Sequence, residues 1–179
     1  VMHIVKKGEM MSTRGTNYRL AIFAQEGDTR VHLGMGHGSI YYGYYYSNTP
    51  IPPSRWTHIA ATYDGDTATV NIYINGVLDA TYENIPEDPV TGSWPLRIGD
   101  NYGIEPFDGL IDEVAIYNKA LTEEEVRLAK LLVKGEEAER ELAKNSHDPE
   151  ERARLEKIME EGKAAREHLI KANTRLVVS

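Results

Sequence analysis

Asn75-Gly76 sits between two short runs in which apolar and polar residues alternate, Ala68–Ile74 and Val77–Tyr82. A two-residue type I′ turn needs positive φ at both central positions, and Asn and Gly adopt it at low cost. In Thr69-Val70-Asn71-Ile72-Tyr73-Ile74, the side chains Val70, Ile72 and Ile74 fall on one face, as a period of two requires. Asp64-Gly65 is a second hairpin signal, joining Thr57–Tyr63 to the next strand. A meander of short antiparallel strands follows, and its apolar face needs a second sheet to cover it.

Upstream, Tyr18–Ala24 and Arg30–Met35 alternate and are separated by the turn residues Gln25-Glu26-Gly27-Asp28. Gly34, Gly36 and Gly38 predict a bulged or bent segment before Ser39–Tyr46. No helix follows this G-x-G-x-G, so it is not a phosphate cradle. The period changes at Leu121. Thr122-x-x-Glu125 is a capping box, and Leu128, Leu131, Leu132, Ala138 and Leu142 continue at helical spacing to about Lys144. Asp148 with Pro149 starts a second helix, striped by Leu155, Ile158, Met159, Ala165, Leu169 and Ala172. The expected architecture is mainly β: a two-layer antiparallel sandwich over 1–121, an antiparallel helical hairpin over 122–173, and a terminal strand within 174–179.

Four segments together resemble the laminin-G-like, concanavalin-A-like jelly rolls, which are related in fold to pentraxins and legume lectins. They are W-T-H-I-A-A-T-Y-D-G, Y-I-N-G-V-L, P-L-R-I-G and F-D-G-L-I-D-E-V-A-I-Y-N-K-A-L-T-E-E-E-V. The likeness reaches back to His3 and covers about two thirds of the chain. It implies that Leu110–Tyr117 is the last strand of the sandwich. It also implies one or two strands before His3, which this sequence lacks, and it leaves the helical hairpin as an addition. Arg175–Val178 or another chain is expected to fill the vacancy. The resemblance further implies a structural calcium at the sandwich edge, with Asp112 of G-L-I-D-E-V as a ligand, and an extracellular or cell-surface location.

Charge and composition bound the function. A net charge of −8 argues against a nucleic-acid surface, and the absence of cysteine removes thiol chemistry and disulfides. No run approaches the ~20 apolar residues of a membrane-spanning helix. Asp112 and Glu113 are neighbours on an expected strand and point to opposite faces, so they cannot flank one glycosidic bond. None of the six histidines shows metalloprotease spacing, and catalysis is not expected. His32 and His37 are expected in a solvated loop, His58 in a strand, and Trp56 in the core.

Eleven tyrosines against two phenylalanines and two tryptophans is a skewed aromatic usage. In Tyr41-Tyr42-Gly43-Tyr44-Tyr45-Tyr46, Tyr42, Tyr44 and Tyr46 share one face, and Tyr41 and Tyr45 the other. One set is expected to pack inward; the other can form a platform for sugar rings. The expected ligand site combines Tyr42, Tyr44 and Tyr46 with Trp94, Asp100 and Asn101. Together with the resemblance, these residues point to a non-catalytic binding or adhesion module for a carbohydrate or glycoprotein. The alternatives are an assembly protein forming homo-oligomers through the helices, and a chimera on a jelly-roll scaffold without a natural ligand.

Overall fold

A computed structural model describes residues 1–8, 16–25, 28–37, 41–85, 89–144 and 148–174. The chain divides into two compact units, Val1–Ala120 and Leu121–Ser179. The first holds β1 (Met2–Gly8), β2 (Thr16–Gln25), β3 (Asp28–His37), β4 (Tyr41–Pro50), β5 (Ile59–Asp64), β6 (Thr69–Ile74), β7 (Val77–Tyr82) and β8 (Leu96–Ile98). They form a five-stranded sheet in the order β4-β3-β2-β1-β8 and a three-stranded sheet in the order β5-β6-β7. Every ladder is antiparallel. The molecule is therefore mainly β, a two-sheet sandwich followed by two helices.

Turn chemistry sets the register of the smaller sheet. Asn75 and Gly76 have φ of 54° and 74°, and Ile74 pairs with Val77 across them. Val70 and Ile72, on the face read from the sequence, are fully buried. They pack with Ile22, Val31, Leu33, Met35, Tyr45, Ile51, Ala80 and Ile85 in one core between the sheets. Burying side chains of this size stabilises by about 1.5–3 kcal/mol each. The sheets are stitched along one side, where the Tyr82 hydroxyl accepts from the Tyr46 N–H (3.0 Å) and donates to the Tyr46 carbonyl (2.8 Å). Nearby, the Asp79 carboxylate accepts from the Asn48 N–H at 2.6 Å.

The second unit consists of α1 (Glu123–Leu142) and α2 (Pro149–Thr174). Thr122 and Glu125 form the capping box, satisfying N–H groups that the first turn leaves without partners. Asp148 accepts from the N–H groups of Glu150 (3.0 Å) and Glu151 (2.9 Å). Between the helices the decisive contact is glycine on glycine. A Cβ built on Gly135 would lie 2.7 Å from the Gly162 Cα, and one on Gly162 would lie 2.6 Å from the Gly135 Cα. Val126, Ala138, Ala165 and Leu169 are buried around this approach. No helix among the described residues is long and apolar enough to cross a membrane.

Several expectations need correction. Residues 110–117 form no strand, and Leu110, Val114, Ile116 and Tyr117 are exposed. Alternation makes a strand only where a neighbouring strand takes up its backbone groups. Here β8 ends the larger sheet, and Glu113 breaks the extended run with a φ of 51°. Trp56 is 62% exposed rather than core, because residues 51–58 lead into β5 outside either sheet. His58 precedes β5 instead of lying in it, and its backbone clasps Asn75. Gly34 pairs in regular register with Arg19 of β2 and Gly36 with Tyr42 of β4, so neither makes a bulge; Gly38 lies outside the described residues. The strand expected at Arg175–Val178 and the turn residues Glu26 and Gly27 lie outside the described residues.

Candidate functional site

Because Val31, Leu33 and Met35 point into the core, the alternate residues of β3 point to the outer face of the larger sheet. Register extends that face across all five strands. Arg97 of β8 pairs with Lys6 of β1, Lys6 with Arg19 of β2, Arg19 with Gly34 of β3, and Gly34 with Tyr44 of β4. Gly34 explains how this row works. It has no side chain, so the Arg19 guanidinium reaches across β3 and lies over the Tyr44 ring, 5.3 Å from its centroid. Tyr44 is 42% exposed, so the row ends in an accessible aromatic ring backed by a cation.

His32 lies in the adjacent row, paired with Ala21 and Tyr46. Its ring is fully buried among Tyr46 (5.5 Å between centroids), Tyr44 (6.1 Å) and Phe23 (6.4 Å). Neither ring nitrogen has a hydrogen-bond partner among the described residues. Desolvation, with the nearby positive charge of Arg19, pushes its pKa down to about 3, so the imidazole is neutral at ordinary pH. His3, also fully buried, is shifted down chiefly by burial, although Glu105 at 3.5 Å pulls the other way. His37 is buried as well, its Nε2 3.2 Å from the Tyr45 hydroxyl. The solvated loop expected for His32 and His37 is thus replaced by buried positions on β3. Gly34 and Gly36 suggested a bend, but both keep regular cross-strand pairing with β4.

At the opposite edge, β8 leads into the other half of the expected site. Arg97 clasps Asp100 with two hydrogen bonds of 2.7 and 3.0 Å and stacks 4.4 Å from the Tyr102 ring centroid. This ion pair holds the Asp100 carboxyl below the usual carboxylate range. Asn101 is buried and accepts from the Lys6 amine at 2.8 Å, so it is an internal partner rather than an open contact. Trp94 is 42% exposed, and its carbonyl accepts from Lys7.

The expected single pocket therefore divides. Tyr44 and Tyr46 stand on β4, and Trp94, Asp100 and Asn101 flank β8, at the two edges of one sheet. Four inter-strand spacings of ~4.8 Å put them about 19 Å apart. The Tyr42 side chain lies outside the described residues; its backbone pairs with Gly36. Asp112 is exposed, and its carboxylate accepts from the Glu113 N–H at 2.9 Å. Among the described residues no group of three or more His, Asp or Glu side chains comes together to hold a metal, so these side chains do not supply the six to eight oxygens calcium takes. Sequence reading missed Arg19 and His32. Placing Gly34 between Arg19 and Tyr44 needs the strand pairing, although the alternation of β2 and β3 does set both residues on polar faces.

The order of strands, the sandwich and its core can now be compared with known proteins. The family model described as the concanavalin A-like lectin/glucanases superfamily matches residues 3–127. The chain belongs to this superfamily. A candidate carbohydrate-binding protein from Bacteroides ovatus superposes on this concanavalin A-like chain with a TM-score of 0.53 at 25% identity, over 70% of this chain and 35% of that one. A heptameric SAP-like pentraxin from Limulus polyphemus does so with a TM-score of 0.55 at 18% identity, over 72% of this chain and 62% of that one, a likeness of fold. The chain thus spans about a third and somewhat under two thirds of these two proteins. No curated protein matches it. The superfamily name covers lectins and glucanases alike, so membership fixes the scaffold and leaves the chemistry to the site.

Proposed function

We propose that the sandwich is a non-catalytic carbohydrate-binding or adhesion module acting outside the cell or at its surface. The observation behind this reading is the exposed Tyr44 ring on the outer face of the larger sheet, with Arg19 over it and other rings beside it. A pyranose presents C–H groups to an aromatic face, while a fixed guanidinium takes its oxygens. The 25% identity to a candidate carbohydrate-binding protein points the same way. The row from Tyr44 to the Arg97–Tyr102 pair suits a linear oligosaccharide better than a single ring.

A glycan array probed with and without calcium tests this reading, followed by titration of the best ligand. Tyr44→Ala should weaken binding by at least about 1 kcal/mol, the scale at which a truncated contact residue counts. Trp94→Ala should matter only for long oligosaccharides, because it lies at the far edge. Binding that is absent from every glycan, or unchanged in Tyr44→Ala, overturns the proposal. Loss of binding without calcium would restore Asp112 as a candidate ligand.

A second reading, an assembly element, is favoured by the apolar side chains exposed at Leu110, Val114 and Ile116. Light scattering after size exclusion separates the two: a concentration-dependent oligomer supports assembly, and a monomer at all concentrations removes it.

A further inference from the structure

The outer face of the larger sheet is predominantly basic. Among the described side chains, the charged ones the strands place there are basic: Lys6 on β1, Arg19 on β2, Arg30 on β3 and Arg97 on β8. Asp28, at the start of β3, falls on the same face by register, and its side chain lies outside the described residues. Two carboxylates reach it, Asp100 on Arg97 and Glu105 on His3, both from the loop after β8. This cationic face belongs to a chain whose net charge is −8. Self-repulsion of a basic cluster is a cost that general solubility does not require, and such a surface raises the local concentration of an anionic ligand.

Alignment adds specificity to sign. Arg97, Lys6 and Arg19 occupy one row across three adjacent strands, so their backbones are spaced by about 4.8 Å, close to the repeat of one sugar ring along a chain. Lys6 is buried and held by Asn101, so it contributes field, whereas the two guanidiniums lie nearer the surface. A planar guanidinium matches a planar carboxylate with two parallel N–H···O bonds, which a rounder anion uses less well. Beside the Arg19–Tyr44 pair, in the next row, lies His32, fully buried with both ring nitrogens without hydrogen-bond partners among the described residues. A neutral imidazole offers one donor, and an anion seated by Arg19 is an acceptor for the His32 ring.

We infer that this face binds an acidic polysaccharide built from uronic acids, with one carboxylate on Arg19 beside the Tyr44 ring and the chain running along the row towards Arg97. The inference rests on the carbohydrate reading above and narrows its ligand class.

Calorimetric titration of the full chain with oligogalacturonate, with the neutral oligosaccharide of the same linkage, and with dextran sulfate tests it. Oligogalacturonate should bind at least tenfold tighter than the neutral sugar, with affinity falling as salt rises. Arg19→Gln should lose at least tenfold for oligogalacturonate only, and Arg19→Lys should recover part of it. Arg97→Gln, on the edge strand β8, should cost severalfold for long chains and little for short ones. It keeps the test valid should Arg19→Gln fail to keep its near-ultraviolet spectrum. Equal binding of neutral and acidic sugars overturns this inference and leaves the carbohydrate reading standing. Binding of no sugar at all removes both. Binding of dextran sulfate without oligogalacturonate overturns the assignment to uronates.

Discussion

Lowering the pH should expose His32 as a stability switch whose size follows from its burial. In the unfolded chain its imidazole takes up a proton near pH 6.5; in the folded sheet it does so only near pH 3. The unfolded state therefore binds more protons throughout that window, and stability must fall as pH falls from about 6.5 towards 3. With those two values, His32 alone removes about 2.5 kcal/mol between pH 7 and pH 4.5. His3, also shifted down, adds in the same direction, and the carboxylates supply a further background. The comparison with His32→Leu cancels both, because the variant keeps the volume and loses the titration. All eleven tyrosines and both tryptophans lie in residues 1–120, so near-ultraviolet circular dichroism in urea follows the sandwich without the helices. The wild-type stability minus that of His32→Leu should drop by about 2.5 kcal/mol over this range. Parallel curves, with the difference constant to within a few tenths of a kcal/mol, would refute the claim that the ring is buried and neutral.

Three further outcomes follow from packing. Gly162→Leu should separate α1 from α2, since even a Cβ meets the Gly135 Cα at 2.6 Å; helical ellipticity should melt at least about 5 °C lower, with the sandwich transition unchanged. Gly43→Ala should destabilise the sandwich by about 1–3 kcal/mol in urea titration, because the Tyr45 ring folds over Gly43, with its Cζ 2.6 Å from the site of a Cβ. Thr122→Ala should remove the cap of α1 and cost about 1 kcal/mol in the helical transition, while Thr122→Ser costs little.

The elements legible in the sequence are those fixed by local chemistry. Asn75-Gly76 forces its hairpin because few other dipeptides tolerate positive φ at both positions. Thr122, Glu125, Asp148 and Pro149 place the helix starts through bonds made within one turn. Val70 and Ile72 were read as core from period alone, and the four family segments gave the scaffold.

What local chemistry could not supply was neighbourhood. Whether Leu110–Tyr117 becomes a strand depends on whether a sheet strand pairs with it, and whether Trp56 is buried depends on what passes over it; neither is written in adjacent residues. The Gly135–Gly162 contact depends on helix phase and crossing, so its two glycines look like mere weak points in their own helices. The candidate site is the clearest case. The tyrosine run named β4 as a platform, but sequence could not tell that Trp94 and Asp100 stand four strands away. Nor could it tell that Gly34 opens a path for Arg19 to reach Tyr44. Alternation assigns a residue to a face, whereas strand order and register assign it neighbours. Those are set by long-range hydrogen bonds between segments, and only the folded sheets make them.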